Sequence, residues 1–540
     1  MRFIVEFKLK LLSKLFVYSF VSLFILVSSH GQAQAQSVGF QVALIEQLKN
    51  DDVAIAFYKA NKFKPIWTGN GFGINARRTA FFKALDQSLI HALPRDSYRA
   101  AELKAALRAA RTDKARGAIE GAMTRTFLDY ATDMQTGVLI PSRVDKDIVR
   151  KVPYRARQSY LTALVKSNPS GFFKALIPSS DEYKRLLKVK EDLLQAYARG
   201  GWGPKISTSK LSPGSQGKSV VALRNRLIAQ GYLGRTNTQT YDANIQKAVQ
   251  LFQLDHGLSA DGVAGPATLG EMNKTVEQRL ASVIVAMERE RWINKPKGQR
   301  HIWVNLADFS AKIVDRGRVT FRTRAVIGFD KDKQRSPEFS DVMEHMVVNP
   351  TWNVPRSIIV DEYLPMLKKN PNAVGFLDIL NNKGQIVGRG DIDFSQYTEK
   401  TFPFAMRQPP STKNALGLVK FMFPNKYNIY LHDTPAKSLF NRETRAFSHG
   451  CIRLHQPFEF AYELLSKQTS NPKGVFHSAL DSKKETYINL KQQVPVHLIY
   501  RTAITKLDGG VEFRRDIYGR DARIFSALQK AGVVIGGVQG

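Results

Sequence analysis

The segment His432–Leu454, HDTPAKSLFNRETRAFSHGCIRL, carries the residue types that nucleophilic chemistry needs. It holds Cys451, the sole cysteine of 540 residues, and two of the ten histidines, His432 and His449. A single cysteine cannot close an intramolecular disulfide. In an oxidising compartment its thiol is therefore either buried and inert or kept for reaction. A cysteine nucleophile requires a base or cation that favours the thiolate, donors for an oxyanion, and access. Ser448-His449-Gly450-Cys451 offers donors and access, because a glycine before the nucleophile lets the backbone approach a substrate. His432 ends the strand-like run Asn428-Ile429-Tyr430-Leu431, nineteen positions before the cysteine. A strand edge presents an imidazole rigidly, and that imidazole lowers a thiol pKa when charged or takes its proton when neutral.

Three blander readings stand beside this one. Residue statistics alone make a lone cysteine an inert core residue, but the polar neighbours Ser448, His449 and Arg453 argue against it. His449, Cys451 and His455 lack the second thiol and paired spacing of a structural zinc site, so neither a metal nor another cofactor is expected. His432, taken alone, stays open as a satisfied surface histidine.

The elements that must position these residues begin at His301. Ile302, Val304 and Leu306 alternate with Trp303, Asn305 and Ala307, the period of a strand. Strands are also expected at 312–315, 319–327, 344–349, 419–423, 428–432 and 494–500, punctuated by Gly317, Gly328, Gly417 and Pro424. Many short strands with turn signals predict a sandwich or small barrel. An irregular insertion between Pro355 and Phe404 opens with an expected helix over 357–369 and has the character of a lid or binding loop.

Upstream, residues 36–205 read as helical. Ile119, Met123, Phe127, Tyr130 and Met134 recur at helical spacing until Gly137 and Pro141 end the pattern. Helices are also expected over 42–60 and 181–198, and the aromatic segment 57–71 suits a packed turn between helices. After the break Gly200–Pro204, residues 211–273 form a three-helix unit. Val220, Leu223 and Leu227 give one face, Asp242 caps a second helix, and Pro266 opens a third. A helical connector, 275–298, leads to the strand-rich region. After it comes an extension, 506–540, with an expected helix over 521–531 and no assigned role.

Residues 1–35 have a basic start, the apolar run Leu15–Val27 and Ala33-Gln34-Ala35 at their end. This is the pattern of a cleaved secretory signal peptide. The apolar run is short for a span, which takes roughly 20 residues. The remainder is expected to lie in the periplasm at the cell wall, with no integral span. A formal charge of +33 favours a polyanionic partner, and for an exported chain an anionic envelope polymer fits better than nucleic acid.

Two stretches resemble known families. The order G-x-x-V-x-x-L-x-x-x-L, A-V-x-x-F-Q-x-x-x-G-L, D-G-x-x-G-P-A-T-L within 211–273 resembles a three-helix peptidoglycan-binding domain, some of which act only as spacers. His432 followed by Ser448-His449-Gly450-Cys451-Ile452-Arg453 resembles the signature of the L,D-transpeptidase (YkuD-type) family, across roughly 300–505. Pro350–Pro355 and Asn414–Gly417 are similar to that family too, and the whole layout is similar to its large Gram-negative periplasmic members. Many members carry Asn two residues after the cysteine, where this chain has Arg453, so the role of that position differs.

The resemblance implies a multidomain α+β chain: a helical scaffold, a three-helix peptidoglycan-binding module, and a β-rich, sandwich-like catalytic domain with a cap inserted at about 356–404. It implies Cys451 as nucleophile and His432 as proton donor and acceptor, oriented by the Asp433 carbonyl. His449 and the N–H groups of Gly450 and Cys451 would hold the oxyanion. Arg453 would meet a stem-peptide carboxylate, with Ser448, Tyr430 and Trp352 as further substrate contacts. The implied reaction joins peptidoglycan stem peptides 3→3 through a thioester, with release of D-alanine. Water as acceptor would make a carboxypeptidase, and a lipoprotein lysine an anchoring enzyme. A wall-binding protein with a degenerate site is the non-enzymatic alternative.

Overall fold

The computed structural model describes residues 37–507 and 509–536; the expected signal peptide lies outside them. Among the described residues no helix is long and apolar enough to cross a membrane. The chain forms two compact units.

The first unit comprises residues up to 82 with 99–129 and 156–172, and it is helical. Its centre is a carboxylate. Glu120, fully buried, accepts the Tyr58 hydroxyl at 2.7 Å, the Ile66 and Thr68 N–H groups at 2.6 and 2.9 Å, and the Thr68 hydroxyl at 2.9 Å. The aromatic turn expected at 57–71 is thus wound around one buried acid, whose donors supply what desolvation removes. The single helical stretch expected over 42–60 is two helices, Val38–Gln47 and Asp52–Ala60. The Asp51 side chain accepts the Ala54 N–H and starts the second.

The second unit holds the remainder. Helices Lys218–Ala229, Ala243–Asp255 and Pro266–Met272 close around Val220, Leu223, Leu227, Ile245, Val249 and Phe252. Asp242 caps the second helix through Ile245 N–H at 2.9 Å, and Pro266 opens the third.

The strand-rich region begins with β1 (Arg300–Asn305), β2 (Ser310–Asp315), β3 (Arg318–Gly328) and β4 (Phe339–Val348). An inserted subdomain carries β5 (Trp352–Asn353), β6 (Asp378–Leu380) and β7 (Ala405–Gln408), which pair as a small sheet over their own apolar cluster. The chain resumes with β8 (Val419–Met422), β9 (Leu431–His432), β10 (Ala446–Ser448), β11 (Ile452–Leu454) and β12 (Thr486–Ile499), and β13 (Ala503–Thr505) pairs with β14 (Val511–Phe513). The main sheet runs β10-β3-β11-β9-β8-β4-β12-β1-β2, and β2 also pairs with β3. That last pairing closes the sheet into a ring. β3 serves both neighbours because it is long: residues 318–324 pair with β2, and 325–326 pair with β11.

Helices Pro457–Leu465 and Pro472–Asp481 pack Phe460, Leu464 and Phe476 onto the sheet core. In the insertion, the helix expected over 357–369 is broken by a π-helical segment, Ile359–Tyr363. Pro365 lies just beyond it; a helix-interior proline has no N–H and crowds the preceding turn.

Candidate active site

The site is a consequence of strand alternation. β9 and β11 run parallel with Leu431 opposite Ile452 and His432 opposite Arg453. Successive side chains leave opposite faces of a strand. Leu431, Ile452 and Leu454 are fully buried on the core face. Tyr430, His432, Cys451 and Arg453 therefore share the other face. Diagonal neighbours across a strand pair lie about 7–8 Å apart, within reach of long side chains. The Tyr430 and His432 rings, two residues apart along the chain, meet edge to face at 5.6 Å.

His432 is buried, and its Nδ1 lies 2.5 Å from the Asp433 carbonyl oxygen. An Nδ1–H donating to a carbonyl places the acceptor lone pair of the neutral ring on Nε2. Burial pushes the imidazole pKa down to about 3, with the Arg453 charge adding to the effect. Asp433 is itself held. Its Oδ2 accepts the Leu418 N–H at 2.9 Å and its Oδ1 accepts Lys437 Nζ at 2.6 Å. Gly417, at φ +60°, lets the chain pass so close to this carboxylate that a Cβ there would overlap it.

Cys451 is half-buried. Its thiol donates to the Asn428 carbonyl at 3.4 Å. Burial pushes the thiol up to about 11, against the opposing effect of the hydrogen bond from Tyr430 and the Arg453 charge. The resting pair is thus a neutral thiol and a neutral imidazole, without a hydrogen bond between them among the described residues. Arg453 is half-buried, and its Nε is buried without a partner among the described residues. Such an atom is costly to leave unpaired, which suits a ligand-binding role.

The turn before Cys451 is braced from three sides. Gly450 has φ +115°, outside ordinary L-residue space. Its carbonyl accepts Ser336 Oγ at 2.6 Å, and Ser336 Oγ also accepts the Gly328 N–H at 3.0 Å. Tyr518, in the C-terminal extension, donates to the Gly328 carbonyl at 2.5 Å and accepts the Ser336 N–H at 3.3 Å.

Four of the expected residues have other partners in this structure. The Gly450 N–H, expected for an oxyanion, donates to Ser448 Oγ at 3.1 Å; among the described residues the Cys451 N–H is the one left without an acceptor. Ser448, expected to meet substrate, is buried, and its hydroxyl donates to the Cys451 carbonyl at 2.6 Å, so it fastens the turn. Trp352, expected to line the pocket, is buried in the core of the inserted subdomain against Tyr363. His449, expected to help hold the oxyanion, lies exposed with Nε2 2.5 Å from Glu362 Oε1.

Glu362 was missed because it sits 87 residues away, in the π-helical segment of the insertion. Ser336 and Tyr518 were missed for the same reason: neither is near the motif in sequence. His455 does not join His449; it lies 3.2 Å from Arg324. Among the described residues no cluster of histidine, cysteine and acidic side chains could hold a metal.

Comparison with known proteins finds matches over separate parts of the chain. The L,D-transpeptidase catalytic domain (YkuD) matches residues 299–471, a scaffold domain matches 52–189, and a "Putative peptidoglycan binding domain" matches 216–272. A Haemophilus influenzae protein described as "Putative L,D-transpeptidase" is 34% identical over 242 residues, 44% of this chain and 48% of that protein. The chain thus spans about half the length of that curated relative. A crystal structure of an L,D-transpeptidase from Xylanimonas cellulosilytica is 17% identical, with a TM-score of 0.16, and covers 55% of this chain and 100% of that one.

Proposed function

We propose, for a chain whose residues 299–471 form an L,D-transpeptidase catalytic domain and whose residues 216–272 form a peptidoglycan-binding domain, that it cross-links stem peptides through an acyl group on Cys451. The observation that carries this is the shared sheet face: a buried, neutral imidazole with Nδ1 fixed on a carbonyl, diagonal to the chain's sole thiol. His432 Nε2 takes the thiol proton as sulfur attacks the carbonyl carbon of the third stem residue. The tetrahedral oxyanion is met by the Cys451 N–H. Collapse breaks the bond to D-alanine, whose nitrogen takes the proton from His432, and leaves a thioester. The side-chain amine of a second stem then attacks, gives its proton to His432, and expels the thiolate, which recovers the proton. The product is a 3→3 cross-link.

Both resting groups are neutral, so charge must develop during attack. Arg453 depresses the His432 pKa. A substrate carboxylate on Arg453 neutralises that cation and makes the imidazole a better base. Substrate binding and base activation are then one event. The chain is read as exported to the periplasm through its basic-apolar leader, with the 216–272 module raising the local concentration of wall polymer. Incubation with disaccharide-tetrapeptides tests the reading: 3→3 dimers with free D-alanine support it, and trimmed monomers alone replace it with a carboxypeptidase.

A further inference from the structure

Away from Cys451, two adjoining cavities of about 280 and 210 Å³ share Asp308, Phe309, Arg322 and Arg445. One reaches Arg324 and His455; the other reaches Leu254–Leu258 of the three-helix module with Arg514 and Arg515. The cleft therefore lies where that module, the C-terminal extension and the sheet meet. His455 directly follows β11 and Cys451 directly precedes it, so the cleft sits at the other end of the same short strand. Four extended residues span about 13 Å.

The charges in this cleft do not balance. It is lined by five arginines (Arg322, Arg324, Arg445, Arg514 and Arg515) against two carboxylates, Asp308 and Glu443, and Glu512 beside it supplies a third, paired with Arg514 at 2.5 Å. Asp308 pairs with Arg514 at 2.5 Å and Arg322 at 3.3 Å, and Glu443 pairs with Arg515 at 3.2 Å. Among the described residues Arg324 and Arg445 have no carboxylate. Arg445 is fixed by the carbonyls of Ala325, Arg442 and Phe309 at 3.2, 2.9 and 3.2 Å. Arg324 donates to the Phe440 carbonyl at 3.0 Å and otherwise faces His455. Carbonyls orient a guanidinium but do not neutralise it. Burial, followed by Arg324, Arg322 and Arg514, pushes Arg445 down to about 10 despite Asp308. Lys312 stands directly opposite Arg322 in the β2–β3 pair, a like-charge pairing that destabilises a sheet. Oriented, under-compensated guanidiniums are what bidentate recognition of a carboxylate uses.

We propose that this arginine cleft binds carboxylates of a peptidoglycan stem peptide, holding a wall strand beside the Cys451 site rather than in it. The inference rests on the wall-directed reading above. Stem carboxylates are the chosen anion because the cleft is continuous with the peptidoglycan-binding module. Its ligand is then the same polymer, and tethering there raises the concentration of stems near the thiol.

The test is sedimentation of the full chain with intact wall sacculi, comparing wild type with Arg324→Glu. Arg324 is exposed, so the variant is expected to fold. Arg324→Lys serves as the rescue. Cys451 acylation by a small carbapenem, read by mass, reports the catalytic centre separately. The expected result is a loss of about tenfold or more in sacculus affinity for Arg324→Glu, partial recovery for Arg324→Lys, and unchanged acylation. On glycan stripped of its peptides by an amidase, wild type and Arg324→Glu are expected to bind alike. Equal binding to intact sacculi overturns the proposal. So does a difference that persists on peptide-free glycan, or one that vanishes when phosphate polymers alone are removed. Failure of the transpeptidase reading would appear instead as wild-type protein that does not acylate.

Discussion

His432 and Arg453 stand directly opposite each other in the parallel β9–β11 pair, a guanidinium beside a buried imidazole. Burial holds His432 down to about 3 and Arg453 pushes in the same direction. In Arg453→Gln the imidazole pKa rises. A base must be neutral to act, so activity fails as pH falls through its pKa. The acid limb of kcat/KM is expected to move to higher pH in the variant, while KM for a tetrapeptide donor rises. A pH profile between 3 and 7 checks this. An unmoved acid limb would mean that Arg453 does not tune the base.

Stability should share that dependence. The unfolded chain protonates His432 near the ordinary histidine value and the folded chain only near 3. Between those values the unfolded state binds more protons, so stability falls as pH falls, by roughly 5 kcal/mol for this group across the window. His91 is likewise pushed down to about 3 and His497 to about 4, both by burial first. Thermal melts from pH 7 to 4 are expected to show a steadily falling Tm. His432→Gln should flatten part of that slope.

Gly417→Ala places a Cβ against the Asp433 carboxylate, at a backbone φ of +60°. The strain, of order 1–3 kcal/mol, falls on the residue whose carbonyl fixes His432 Nδ1. Acylation by a carbapenem is expected to slow markedly while secondary structure by circular dichroism is retained. Wild-type acylation would show that His432 does not depend on Asp433 for its orientation.

Glu362 joins the inserted subdomain to His449, two residues before the thiol. Both side chains are partly exposed, so the pair contributes about 1 kcal/mol or less to stability. Glu362→Gln should therefore leave the melting temperature nearly unchanged. Its expected effect is on the step that involves the insertion: cross-link formation falls more than carbapenem acylation does. Paired measurement of the two rates separates these outcomes.

What could be read from the chain follows how local each determinant is. Alternation from Ile302 gave the strand, and the spacing of Asp242 and Pro266 gave the module's helices, because caps and periodicity act within one turn or one pleat. β9 was expected over 428–432 but pairs only at 431–432. Asn428 has φ +53°, and the Asn425 side chain accepts the Tyr427 and Ile429 N–H groups, so the preceding residues form a turn. β4 is longer than expected because residues 339–343 pair with 494–498, and β12 because residues 486–489 pair with 345–348, across the sheet. The same distinction governs the site. Polar Ser448 beside a cysteine signals chemistry in a sequence, yet its hydroxyl is used within the turn. The supports that matter, Ser336, Tyr518 and Glu362, lie 67 to 115 residues from Cys451 in the chain, with no local signal to betray them.

The most direct measurement is the intact mass of the protein after brief incubation with a tetrapeptide donor. The account predicts an adduct on Cys451 equal to the donor minus D-alanine, discharged on addition of an amine acceptor. It predicts the same adduct to be lost in Cys451→Ala and in His432→Ala. Cross-linked product from Cys451→Ala, or an acyl group found on any other residue, would contradict it.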